Sequence, residues 1–238
     1  MSLLNRVALV AALIPAAALA QAPQSCEARA TAQPPAVVEL YTSEGCSSCP
    51  PADRWLSALK GRSDVIALAF HVNYWDRLGW PDRFATPATT ERQSLQQRSS
   101  GASYVYTPQV MLNGRDLRNW SSAAIARPPA SPVALSMKRE GNTVAASIGA
   151  GDERLAGYWA VLEDGHSTRV RAGENSGETL KHDHVVTLYQ PVEAWAAKTA
   201  KQWSLTLPQA SGGTARRVVF VVTDAASQRP LQALALAC

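Results

Sequence analysis

The chain has 238 residues, of which 46% are hydrophobic, 18% charged and 7% aromatic, with 23 Lys and Arg against 19 Asp and Glu. That apolar share and a net charge of only +4 exclude a disordered chain, and with no runs of Lys or Arg they argue against nucleic-acid binding. Four cysteines are too few for a disulfide scaffold, and the length suits one large or two modest domains.

Arg6 is followed by an uncharged apolar stretch, Val7 to Ala20, interrupted by Pro15. This is shorter than the ~20 residues needed to cross a bilayer. With Ala18-Leu19-Ala20 at its end, it predicts a secretory signal peptide over residues 1–20. No later stretch is apolar and long enough to span, so we expect an exported protein, periplasmic or secreted, without membrane insertion. In such a compartment disulfides persist. The Gln/Ala/Pro-rich residues 21–35 read as a mobile lead-in.

Val37 to Tyr41 and Val65 to Val72 are β-prone, and Ala52 to Lys60 carries Trp55, Leu56 and Leu59 at helical spacing, with Gly61 just past its end. Strand, helix, strand is a βαβ unit with parallel strands. A helical insertion over residues 73–101 opens on the aromatic cluster Tyr74, Trp75, Trp80 and Phe84. It continues with Thr86 as N-cap and Pro87 at the first helical position. Gln109 to Leu112 is a third strand ended by Asn113-Gly114, and Ser121 to Arg127 reads as a short helix. The prolines of Arg127 to Pro132 mark a linker. Beyond it, apolar residues alternate through short runs such as Val144 to Ile148, Tyr158 to Leu162 and Val218 to Thr223. The expected architecture is an α/β domain over residues 36–128 followed by an antiparallel β-sandwich-like domain over 129–238.

Cys46-Ser47-Ser48-Cys49 stands at the first strand-to-helix turn. Proline is tolerated only in a helix's first turn, so Pro50 and Pro51 place the helix start at the cysteines. A helix start lowers a thiol pKa from ~8.5 into the range ~3.5–7.5 and so makes the thiolate that attacks disulfides. Cys46, nearer the loop, is the expected attacking thiol and Cys49 the resolving one. An inert disulfide or a metal half-site are the alternatives; zinc takes four ligands, and there is no second such pair. Cys26 and Cys238 remain, and we expect them to form a structural disulfide joining the chain ends. The chain-entropy model puts such a loop at roughly 5 kcal/mol.

Val38-Glu39-Leu40-Tyr41-Thr42 followed by the Cys46–Cys49 turn resembles the first strand and active-site turn of glutaredoxin-type thioredoxin folds. Thr107-Pro108-Gln109-Val110-Met111-Leu112-Asn113-Gly114 resembles their proline-to-strand segment. The resemblance implies a thioredoxin-like first domain in which a cis Pro108 and Thr107 face the cysteines and pair with extended substrate. The stretches ELYTSEGCSSCPPAD, HVNYWDRLGW, YTPQVMLNG and GENSGETLKHDHVV resemble a family of secreted thioredoxin-like proteins classed as a domain of unknown function. The Gly-Gly-Asp-type glutathione segment of glutaredoxins is absent after Gly114, and Ser47-Ser48 replaces the Gly-Pro of thioredoxin.

His182-Asp183-His184 sets two imidazoles at i, i+2, a possible metal seed, although a solvated strand end is the reading we favour. His71 ends the second strand; it either tunes a thiolate, joins the two thiols around Cu(I), or packs at the sheet edge. The aromatic cluster serves as a peptide-binding rim or as a cover for the sheet. The polar loop Gly173 to Gly177 is assigned no chemistry.

Three functions stay open. The first is a thiol–disulfide oxidoreductase acting without cofactor or metal on protein or peptide thiols, through Cys46, Cys49, Thr107 and Pro108. The others are a Cu(I)-binding module and a non-catalytic interaction protein. For the first, Ser47-Ser48 at a helix start favours the reduced form, hence an oxidant or isomerase over a reductant. The oligomeric state is left open.

Overall fold

A computed structural model describes residues 25–209 and 215–238. The expected signal peptide, residues 1–20, lies outside them. The chain is mostly β, with two α-helices and three sheets among the described residues. In chain order the elements are β1 (Ser25–Arg29), β2 (Ala36–Thr42), α1 (Pro50–Ser57), β3 (Val65–His71), a 3-10 turn (Asn73–Leu78) and α2 (Pro87–Ser100). Next come β4 (Gln109–Leu112), β5 (Arg115–Asp116), β6 (Leu135–Glu140), β7 (Thr143–Ile148) and β8 (Arg154–Glu163). The remainder are β9 (His166–Arg169), β10 (Thr179–His182), β11 (Val185–Ala196), β12 (Lys201–Thr206), β13 (Arg216–Asp224) and β14 (Pro230–Ala237).

The largest sheet has eight strands in the order β14-β13-β8-β11-β3-β2-β4-β5. β2 and β3 run parallel with α1 between them, as the βαβ reading requires, and β4 is antiparallel to β2. The sheet does not stop at residue 128. β11 lies parallel to β3, with Val185 opposite Ala69, and carries the sheet on into β8, β13 and β14.

Alternation along the strands separates three cores. Val38, Leu40, Ala67 and Ala69 face α1, whose Ala52 and Leu56 fill the layer between. On the opposite face Val37, Tyr41, Leu68 and Phe70 join Tyr158, Ala160, Val186, Val219 and Val221 in one continuous core. The third core lies where β1, β6, β7 and β12 form a second sheet, in the order β1-β6-β7-β12. Its Met137, Val144, Ala146 and Leu205 pack on Trp159, Val161, Phe220 and Val222 of the large sheet, sheet face to sheet face.

Two local expectations change. The supposed mobile lead-in contains β1, which pairs antiparallel with β6. Ser121 to Arg127 forms a turn and extended chain, not a helix; Trp120 and Ile125 instead pack beside α1. Cys26 on β1 is disulfide-bonded to Cys238 with a Cα–Cα distance of 6.4 Å, so the chain ends are joined as the cysteine pattern suggested.

Candidate functional site

The turn after β2 carries the second disulfide, Cys46–Cys49, with Cα atoms 5.5 Å apart. Cys49 is the N-cap of α1 and Pro50 its first residue, so the pair sits at the helix start. Gly45 is needed just before it: a Cβ there would lie 3.0 Å from Cβ of Trp75. Both cysteines are fully buried in this disulfide state. The expected contrast between an outer Cys46 and an inner Cys49 is therefore not visible in exposure. What distinguishes Cys46 is its neighbours.

Thr107 donates its hydroxyl to Cys46 Sγ at 3.3 Å and accepts Nε1–H of Trp75 at 2.8 Å. The Thr107–Pro108 peptide is cis. All four residues singled out in the sequence, Cys46, Cys49, Thr107 and Pro108, thus come from segments that meet at one place. On the other flank lies the loop Gly173–Gly177, shaped by left-handed glycines at both ends. Glu174 accepts the backbone N–H of Ser47 at 3.0 Å and its hydroxyl at 2.8 Å. Buried Asn175 donates from Nδ2 to the carbonyls of Glu44 and Cys46, both at 2.9 Å. This strap was missed by motif reasoning, because its residues bind backbone atoms far away in sequence and carry no nucleophile or metal spacing of their own.

Beneath the turn is a buried polar cluster. His71 Nδ1 lies 2.6 Å from Asp82 Oδ2, and both side chains are fully buried. Burial opposes a charge on the His71 ring, but Asp82, Asp53 and Glu44 outweigh it and raise its pKa. Burial likewise pushes Asp82 up, and His71 with two backbone N–H donors brings it below the usual carboxylate range. Asp53, in the first turn of α1, accepts from Thr42 Oγ1 at 3.2 Å; burial pushes its pKa up to about 6 against the pull of His71. His182 stacks edge-on against His71 at 4.9 Å, and burial followed by repulsion from that ring lowers it to about 3. The two neighbouring imidazoles are thus shifted in opposite directions, His71 up and His182 down.

His182 and His184 are both buried, which corrects the expected solvated strand end. β10 ends at His182, and His184 takes a left-handed conformation (φ 57°), so the two rings do not share a strand face. Asp183 between them pairs with Lys60. His71 bonds Asp82 through Nδ1, and Cys46 and Cys49 are bonded to each other. Among the described residues no group of three or more His, Cys, Asp or Glu side chains is placed to hold a metal.

The aromatic cluster covers the site and is neither fully core nor free rim. Trp80 donates Nε1–H to Glu44 Oε2 at 2.8 Å, and Phe84 packs against His71 and His166. Beside Glu44 opens a groove lined by Trp80, Pro81, Arg83, Arg169 and Arg171. Among the described residues none of these three arginines has a carboxylate partner within ion-pair distance, the criterion met by Arg217 with Asp164.

The architecture and the site define a mostly β protein with two disulfides, one closing the chain ends and one at a strand-to-helix turn. The chain belongs to the family described as "Protein of unknown function (DUF1223)", whose sequence profile matches residues 37–223. The search of curated proteins found no match. Among solved structures the chain is similar to the crystal structure of a protein from Agrobacterium tumefaciens. That match has 29% identity and a TM-score of 0.61, covering 84% of this chain and 93% of that one. It is also similar in fold to HBP35 of Porphyromonas gingivalis, with 13% identity and a TM-score of 0.58 over 86% of this chain and 75% of that one. Among the described residues no helix is long and apolar enough to cross a membrane.

Proposed function

We propose that the protein is an exported, thioredoxin-like thiol–disulfide oxidoreductase that acts on protein or peptide thiols through Cys46 and Cys49. The observation that carries this reading is a disulfide at a helix start in which one sulfur, Cys46 Sγ, accepts a hydrogen bond from Thr107. That hydroxyl is placed to stabilise the sulfur when it carries charge, which a purely structural disulfide does not require. Two residues between the cysteines close a loop too small to stabilise the fold much by chain entropy, so the bond's value lies in its chemistry.

From the oxidised state, a substrate thiolate attacks Cys46 Sγ. The Cys46–Cys49 bond breaks, Cys49 leaves as a thiolate, and a mixed disulfide forms. A second substrate thiolate then attacks the substrate sulfur of that bond and releases Cys46. The substrate departs as a disulfide, having given two electrons to the pair, and its two thiol protons end on Cys46 and Cys49. The reverse sequence reduces a substrate disulfide. The groove lined by Trp80, Arg83, Arg169 and Arg171 gives an extended peptide a surface beside the turn. Export fits both the leading apolar stretch and the two disulfides.

The test is Cys49→Ser, which leaves Cys46 unable to resolve a mixed disulfide. Recovery of partner proteins on Cys46 by non-reducing capture, lost in Cys46→Ser, is the expected result. Failure of the native protein to exchange with any dithiol peptide would remove the enzyme reading.

A further inference from the structure

The strap places a carboxylate on the backbone between the two cysteines, and this bears on the direction of the chemistry. Glu174 is exposed, yet its Oε2 takes two hydrogen bonds from Ser47, the residue adjoining Cys46. Those bonds hold its own pKa below the usual carboxylate value. Its position is not left to chance. Asn175, next in sequence and buried, is fixed to the carbonyls of Glu44 and Cys46, and the glycines at 173 and 177 have the left-handed conformation that turns the loop onto the site. Among the described residues no cation stands within ion-pair distance of Glu174; Arg77 acts on it only from further away.

Resting on the exchange reading above, we infer that Glu174 is a positioning residue that sets the redox balance of the Cys46–Cys49 pair by disfavouring the Cys46 thiolate. Two effects act in the same direction. A fixed negative charge one residue from Cys46 repels the thiolate, whereas the neutral disulfide feels no such penalty. The Ser47 N–H, which could otherwise stabilise a neighbouring anion, is already spent on the carboxylate. Both favour the disulfide over the dithiol form and so make the pair a better reductant. They oppose the helix start and the Thr107 hydroxyl, which favour the thiolate. The expected lean toward an oxidant is thereby reduced by a residue 127 positions along the chain from the one it binds.

The experiment reduces the full mature protein with excess dithiothreitol and follows alkylation of Cys46 by iodoacetamide against pH, resolved by peptide mass spectrometry. Glu174→Gln keeps an acceptor for Ser47 and removes only the charge. It should lower the Cys46 midpoint by about 0.5–1 pH unit, and Glu174→Lys should lower it further. The equilibrium with dithiothreitol at pH 7 should move toward the dithiol form by up to about fivefold in Glu174→Gln, about 20 mV at 29.6 mV per tenfold. An unchanged midpoint across Glu, Gln and Lys would overturn the inference and leave Glu174 as a tether only. Because chemical reduction does not depend on a physiological partner, this result is separate from capture of substrates on Cys46.

Discussion

The side chain of Asn175 holds the backbone carbonyl of Cys46 at 2.9 Å across 129 residues of chain. The same Nδ2 also reaches the carbonyl of Glu44, so one buried amide clamps both ends of the approach to the disulfide. Asn175→Ala should leave two carbonyls short of a donor and cost about 1–3 kcal/mol of stability, read as a lower urea midpoint at unchanged slope. It should also free the strap, so reduction of the Cys46–Cys49 disulfide by a small dithiol becomes faster. A reduction rate equal to that of the native protein would show that the strap does not limit access.

Asp53 makes stability depend on pH in a direction opposite to that of most carboxylates. Its folded pKa of about 6 lies above the ordinary value of 3.8 because of burial. The folded state therefore binds this proton more tightly than the unfolded chain does. The resulting stability is fully present below about pH 4 and is lost as the pH rises through about 6. Asp53→Asn keeps an acceptor for Thr42 and carries no charge. Relative to the native protein it should gain up to about 3 kcal/mol between pH 4 and pH 7, checked by denaturation at several pH values. A difference independent of pH would refute the assignment.

Arg92 and Glu39 form a deeply buried ion pair, with side chains 1% and 3% exposed and 2.7 Å between them. The hydroxyls of Tyr41 and Tyr158 complete the shell of Glu39, each at 2.6 Å. Arg92→Leu leaves the carboxylate buried without its cation and should cost about 3–5 kcal/mol. The double variant Arg92→Leu, Glu39→Leu should recover most of that loss. Calorimetric melting of the single and double variants decides it.

These contacts mark where sequence reading succeeds and where it stops. The CxxC turn, the helix start at Pro50, the Thr86 cap and the terminal cysteine pair are local or compositional signals, and each is present in the structure. Helix α2 shows what patterning does not carry. It is polar on every side with no apolar stripe, yet Arg92, Gln93 and Gln96 are buried. Glu39, Gln109 and the carbonyl of Tyr106 provide partners for Arg92 and Gln93 that no periodicity reveals. His182 and His184 look solvated for the same reason: hydrophobic patterning is blind to polar groups buried by long-range packing. The pairing of β11 with β3 is equally hidden, since register between strands more than a hundred residues apart leaves no local trace.

The link between Cys26 and Cys238 ties β1 to the chain end beyond β14. Removing it with Cys238→Ser should lower stability by about 2–5 kcal/mol, with the chain-entropy figure as the ceiling. The rate at which Cys46–Cys49 exchanges with a dithiol should equal that of the native protein, because the two bonds share no residue. Melting temperature and thiol exchange, measured on the same sample, separate the two effects.

Tyr158 of β8 packs edge-on to Phe70 of β3 and bonds Glu39 of β2, inside a core that both halves of the chain build together. A protein arranged in this way cannot be dismantled into cassettes. Cutting after residue 128 would strip the hydrogen-bonding edge of β3 and half the lining of that core, leaving a bare apolar face open to aggregation. For engineering, the cysteine turn has to be taken together with its β-rich companion, so a minimal fragment would be a poor starting point.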